Sequence, residues 1–179
     1  MDEEMVTDDD MEDEDEEMDD EEMKPLMTWL NDAYAMEQSI INTLEGHAKD
    51  ANDYPEAKQM IEDHIEQTKG QALRIKNEIE RLGGEVSKVK SVLADMMGTV
   101  QGLMPDLAKD KVIKNAIVEH ATEHFEHASY MTLAEAADYY DEPETARVCE
   151  EIMEEEVRMG EKLEKALPKL VREYLGKEE

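Results

Sequence analysis

Residues 53–82 read DYPEAKQMIEDHIEQTKGQALRIKNEIERL, and residues 141–170 read DEPETARVCEEIMEEEVRMGEKLEKALPKL. Both open Asp-x-Pro-Glu, 88 residues apart. The pattern marks a helix start: Asp can accept from an early backbone N–H, Pro in the first turn needs no donor, and Glu can reach back to complete a capping box. Beyond the openings the apolar positions stay in phase, pairing Ile61 with Cys149, Ile65 with Met153, Ile75 with Leu163, Ile79 with Leu167 and Leu82 with Leu170. The segments before them match at an offset of 89, where Glu37, Thr43 and Leu44 correspond to Glu126, Thr132 and Leu133. The chain therefore reads as a duplicated helical hairpin. Two such hairpins joined by a long crossover predict an all-α four-helix bundle in which equivalent helices are related by a pseudo-twofold axis.

Composition agrees from Lys24 onward, where good helix formers fill most positions and only one Phe and one Trp occur in the chain. Helical spacing links Leu26, Leu30, Ala33, Ile40, Ile41 and Leu44 on the first helix, and Ile61, Ile65, Ala72, Ile75, Ile79 and Leu82 on the second. It links Ile113, Ile117, Met131 and Ala134 on the third, and Val148, Ile152, Met159, Leu163, Leu167 and Leu170 on the fourth. A shorter pattern of Val89, Val92, Leu93, Met96, Val100 and Leu103, set between Gly83-Gly84 and Pro105, predicts a crossover helix between the second and third. Two regions result. Residues 1–23 are expected to be a disordered acidic tail, since residues 2–22 hold 16 acids and no base; residues 24–179 are the bundle.

The 49 acids and 19 bases of the 179-residue chain leave a formal charge of −30. A surface this negative repels phosphate backbones and anionic leaflets, so nucleic acid and membrane are excluded as partners. No apolar run is long enough to span a bilayer, and the N-terminus does not read as a secretory signal. The lone Cys149 cannot close an internal disulfide, and with these absences the reading is a cytoplasmic protein. No glycine-rich phosphate loop or nucleophile elbow is present, which excludes the chemistries those motifs support.

Polar residues on apolar faces carry the functional reading. Glu37 lies at the centre of the arc of Leu30, Ala33, Ile40, Ile41 and Leu44. Its repeat partner Glu126 sits among Thr122, Ser129, Tyr130, Leu133 and Ala137. On the second helix His64, Thr68 and Gln71 share the arc of Ile61 and Ile75, with Gln67 at its edge; on the fourth, Glu156 falls between Ile152, Met159 and Leu163, with Glu155 at the edge. A carboxylate buried without a partner costs several kcal/mol or stays protonated, so a cation, a hydrogen-bond network or solvent must offset the burial. Carboxylates and imidazole projecting inward from four helices is the arrangement by which ferritin-like bundles hold two iron or manganese ions.

Four stretches together make residues 25–172 resemble the YciE/YciF-type ferritin-like family. They are Tyr34 and Glu37; His64, Thr68, Gln71 and Arg74, ending at Gly83; Glu123, His124, Glu126 and Tyr130; and Glu155 with Glu156. The resemblance implies a ferritin-like bundle, often dimeric, associated with stress responses and with a di-metal centre in some members. It implies metal ligands among Glu37, His64, Gln67, Glu123, Glu126, Glu155 and Glu156, with iron or manganese as the cofactor. Gln67 stands where the family usually has Glu, and neither the second nor the fourth helix carries the Glu-x-x-His spacing of well-characterised di-iron bundles.

The remaining histidines divide. His120, His124 and His127 form one stripe with Ile117 and Met131, which reads as an interface or core stripe, with metal ligation as the alternative. His47 reads as a cation near a helix C-terminus without an inward companion. Three functions remain open: a metal-dependent oxidation or storage protein with ferroxidase or peroxide-consuming chemistry, a metal-free helical stress protein acting through self-association, and a binding module with an acidic tail. Apolar residues outside a single stripe of each helix lead to the expectation of a homodimer.

Overall fold

The structure is a computed structural model that describes residues 23–86 and 110–177. The expected acidic tail and the expected crossover helix both lie outside the described residues. Four helices run in order: α1 (Lys24–Asp50), α2 (Pro55–Arg81), α3 (Lys111–Tyr139) and α4 (Pro143–Lys177). Packing is closest within the hairpins, α1 on α2 and α3 on α4, and the hairpins meet through α1 against α3 and α2 against α4. Both cross-pairs are antiparallel. Glu37 meets Tyr130 and His47 meets Glu119, while Gln71 meets Glu156 and Arg81 meets Thr145. The duplicated hairpin is thus an all-α four-helix bundle. Among the described residues no helix is long and apolar enough to cross a membrane.

The helix boundaries are set differently from the expected capping boxes. Tyr54, not Asp53, is the N-cap of α2, and no side chain caps that end; Glu56 then stands one position too early to close a box. Asp141 instead closes α3, adopting a left-handed φ of 57°. The Glu142 N–H reaches the Ala137 carbonyl at 2.9 Å and the Asp141 N–H reaches Asp138 at 3.2 Å, which is a Schellman ending. Gly83 does the same for α2, with φ at 80° and the Gly84 N–H bonded to the Ile79 carbonyl at 2.9 Å. At Gly84 a Cβ would stand 2.6 Å from Met27 Sδ and 3.2 Å from the Ile79 carbonyl oxygen, so the end of the Met27 side chain would have to move to admit one. The repeated Asp therefore marks both hairpin corners without capping either helix.

The core matches the expected arcs on α1, α2 and α4, where Leu26, Leu30, Leu44, Ile75, Ile79, Ile152 and Leu163 are fully enclosed. On α3 the expected inward set is corrected. Ile117 and Met131 are 42% and 53% exposed, whereas Tyr130, Leu133 and Ala137 are buried. The cause lies in the sequence of α3, which is apolar nearly all round and buries Glu119, Glu123 and Glu126. Periodicity cannot choose a face when apolar residues cover both and acids occupy the inner one.

Candidate metal centre

Each helix contributes to one buried polar layer. From α1 comes Glu37; from α2, His64, Thr68 and Gln71; from α3, Glu123, Glu126 and Tyr130; and from α4, Glu156. None is more than 2% exposed. Thr68 and Tyr130 are satisfied within the protein: the Thr68 hydroxyl donates to the His64 carbonyl at 3.0 Å, and the Tyr130 hydroxyl donates to Glu37. The Gln71 amide donates to Glu156 and to Glu155, and Arg74 holds Glu155 from the other side. What remains unsatisfied in the layer, besides the Gln71 carbonyl oxygen, is the ligand-bearing set. One oxygen of Glu37, both of Glu123, both of Glu126, one of Glu156 and both ring nitrogens of His64 are buried without a hydrogen-bond partner.

His64, Glu123 and Glu156 each place a ligand atom within 4.8 Å of the others, and His64 Nε2 stands 3.4 Å from a Glu123 oxygen. Burial lowers the His64 pKa to about 4, with the Lys162 charge acting in the same direction, so its ring is neutral and its lone pair free near neutral pH. Burial raises the pKa of Glu37, which the Tyr130 hydrogen bond opposes and the Glu156 charge reinforces. Glu126 is raised by burial and then by the charges of Glu37, Glu156 and Glu123. Glu123 and Glu156 are raised chiefly by burial as well. Like charges this close cannot all ionise without a compensating cation. Carboxylate oxygens and imidazole nitrogen are the donors that suit iron, manganese or zinc, and the set fits such an ion.

Glu155 is part-buried and engaged by Arg74 and Gln71 at the rim. Gln67 is half-buried, and its amide nitrogen is buried without a hydrogen-bond partner. His120 and His124 lie on the outer side of α3 with their rings edge-to-face at 4.9 Å. His47 has an inward companion after all: it is 4% exposed and bonds Glu119 across the bundle at 2.6 Å. Sequence reasoning missed this pair. The signal available was Glu119 itself, one turn before Glu123 on the same face as Glu126.

Four antiparallel helices enclosing carboxylates and an imidazole define the class, an all-α four-helix bundle with the architecture of ferritin-like proteins. The chain belongs to the family described as "Domain of unknown function (DUF892)", which matches residues 21–176, a YciF-type family. Protein YciF of Escherichia coli (strain K12) is 28% identical over 131 residues, which span 71% of this chain and 78% of that protein. Among solved structures, a protein from Xanthomonas campestris superimposes with a TM-score of 0.72 at 33% identity, covering 87% of this chain and 96% of that one. The structure of the E. coli stress protein YciF shares the fold with a TM-score of 0.69 at 24% identity, over 83% of this chain and 96% of that one.

Proposed function

We propose that Glu37, His64, Glu123, Glu126 and Glu156 hold a pair of divalent iron or manganese ions, and that the protein serves a stress response through this centre. The observation that carries the reading is the layer of buried carboxylate oxygens and imidazole nitrogens with no partner in the protein. Each such group costs roughly 1–3 kcal/mol even when neutral, a burden that a cation would lift. Bound iron would supply an Fe(II)/Fe(III) couple suited to ferroxidase or peroxide-consuming chemistry. The chain's own part is to bind and orient. Tyr130 fixes Glu37 and Gln71 fixes Glu156, while Ile75 and Ile152, one turn along α2 and α4 from Gln71 and Glu156, are fully buried. The stress role is supported by what the solved structure of the E. coli relative YciF is called, a stress protein.

Anaerobic Fe(II) titration of wild type against a Glu37→Ala, Glu126→Ala double variant tests the assignment. Tight binding is expected in wild type alone. Equal binding by both would assign the ions to the acidic surface and end the reading.

A second reading is a metal-free protein that works by self-association, with protonated carboxyls satisfying one another. The outward side of α3 favours the association half of it, since Ile117, Phe125 and Met131 are 42%, 37% and 53% exposed. A homodimer through this face would cover them. Light scattering across a salt series checks it, and a strict monomer at every salt concentration would remove the dimer.

A further inference from the structure

The outer side of α3 is built unlike those of α2 and α4, which carry ion pairs such as Lys69–Glu66, Lys76–Glu80, Arg158–Glu154 and Lys165–Glu161. Residues 115–134 contain no Lys, Arg or Asp, and the acids among them, Glu119, Glu123 and Glu126, are all buried. What faces outward is Ile117, Ala121, Phe125, Ala128 and Met131, together with His120 and His124. In a chain of formal charge −30, so long an uncharged strip is the mark of a face that something covers.

Two metal donors stand within this strip. His120 is half-buried and His124 exposed, one helical turn apart, with ring centres separated by 4.9 Å. Zinc sits about 2.0–2.1 Å from an imidazole nitrogen and hence about 3.2 Å from the ring centre, so two rings sharing one ion at a tetrahedral angle have centres roughly 5 Å apart. The pair already has the spacing of a chelate. Rotation about the soft Cβ–Cγ bond can turn both rings toward a common point. Among the described residues neither ring has a hydrogen bond or ion pair to give up. Imidazole donors without a carboxylate suit zinc, copper or nickel, and not magnesium or calcium.

We propose that His120 and His124 from two copies of the chain bind one Zn(II) between them, so that the protein dimerises through the outer side of α3 when zinc is present. The proposal builds on the association half of the second reading above and does not depend on the buried layer. A structural zinc site takes four donors, and a copy related by a twofold axis offers the same two groups across an isologous contact. Apolar contact alone is too small to hold the copies. A strip about 23 Å long and ~10 Å wide falls well short of the ~800 Å² that each partner buries in a stable interface. Two chains of charge −30 also repel, and a dication at the contact offsets part of that repulsion while Ile117, Phe125 and Met131 pack around it.

Light scattering on the full chain tests it, measuring mass in EDTA, in Zn(II) and in Mg(II) at the same concentration. Wild type is expected at 20.5 kDa in EDTA and at twice that mass in Zn(II). Mg(II), which acids bind and imidazole does not, should leave the mass unchanged. His124→Ala, at an exposed position that the fold does not need, and His120→Asn are expected to stay monomeric in Zn(II). The Glu37→Ala, Glu126→Ala double variant should still double. Doubling in both histidine variants would assign the association to zinc on the acidic surface and overturn the proposal; its loss in the double variant would place the ion in the layer and do the same. A dimer that persists in EDTA would overturn the zinc link and leave self-association standing. A wild type that stays monomeric in Zn(II) would overturn the proposal and the α3 contact together, while the buried centre keeps its own Fe(II) test.

Discussion

Replacing Glu126 with methionine should stabilise the metal-free protein while abolishing its metal binding. Glu126 is fully buried and neither carboxyl oxygen has a partner. Burial raises its pKa well above the ordinary 4.5, so the group is carried as a neutral acid in the folded state. Holding a proton on such a carboxyl at pH 7.5 costs about 1.4 kcal/mol per pH unit above 4.5, or ~4 kcal/mol, and the unsatisfied polar atoms add roughly 1–3 kcal/mol. Partial relaxation returns some of this, and exchanging buried charged groups for apolar ones of similar volume recovers roughly 1–4 kcal/mol in practice. A gain of about 3 kcal/mol at pH 7.5 follows, equivalent to a Tm increase of ~6–12 °C for a chain this long. At pH 5, close to the ordinary carboxylate range, little of the proton cost remains, so the gain should shrink to ~1 kcal/mol. Glu37→Met is the control: it strands the Tyr130 hydroxyl that now donates to Glu37, and the lost bond offsets most of the benefit. Thermal and urea unfolding in chelator at both pH values provide the measurement. A Glu126→Met protein less stable than wild type at pH 7.5, or a gain independent of pH, would refute the account of the layer as a set of uncompensated acids.

The wild-type metal-free protein should lose stability as pH rises from the ordinary carboxylate range, because Glu37, Glu123, Glu126 and Glu156 have raised pKa values and bind more protons folded than unfolded. His64, lowered to about 4, acts oppositely below pH ~6.5, but one imidazole is outweighed by four carboxyls, so urea midpoints should fall as pH rises above ~4.5. Cys149 is buried with its thiol pushed up to about 12, chiefly by burial; native protein should resist alkylating reagents, with full labelling only in denaturant. Arg81→Met should lower stability by about 1.5–3 kcal/mol, since Arg81 ties the 6%-exposed Glu78 at 2.9 Å to Glu142 and Thr145 at 2.8 Å, and thermal unfolding will show it. Gln67→Glu should tighten the weaker step of a two-step Fe(II) titration by about tenfold, near 1.4 kcal/mol, by placing a carboxylate on the α2 side; an unchanged curve would remove Gln67 from the ligand question.

The duplication explains both what was legible in the sequence and what was not. Core positions kept their phase between hairpins because each must fill equivalent space, so Ile75 with Leu163 and Ile79 with Leu167 could be paired from the sequence. Caps were misread because the same Asp-x-Pro-Glu letters serve a helix end: whether Asp141 caps a start or closes a finish depends on its φ of 57°, which one residue's chemistry does not dictate. The face of α3 was ambiguous because apolarity on both sides erases the period, and the inner side was marked by acids that a hydrophobic pattern scores as outer. His47 and Glu119 escaped because their sequence separation of 72 residues hides a contact that only the antiparallel α1–α3 crossing creates.

The repeat also shows where the two hairpins have diverged. Glu37 and Glu126 remain equivalent, but at the same offset of 89 the counterpart of Glu123 is Tyr34, and at 88 the counterpart of Glu156 is Thr68 and that of His64 is Ile152. Three of the four buried layer glutamates therefore come from the second hairpin, while the first supplies Glu37, His64, Thr68 and Gln71. A symmetric ancestor would present equal donors to two positions about its axis; this chain presents an acid-rich side and a side of neutral amide, hydroxyl and imidazole groups. Charge count governs how strongly a hard cation is held. Two ions in such a layer would be bound unequally, the tighter against Glu123, Glu126 and Glu156, the weaker on the side where Gln67 stands. The departure at Gln67 is thus one member of a set that includes Thr68 and Tyr34, and the set as a whole shifts the buried negative charge to α3 and α4 without removing it.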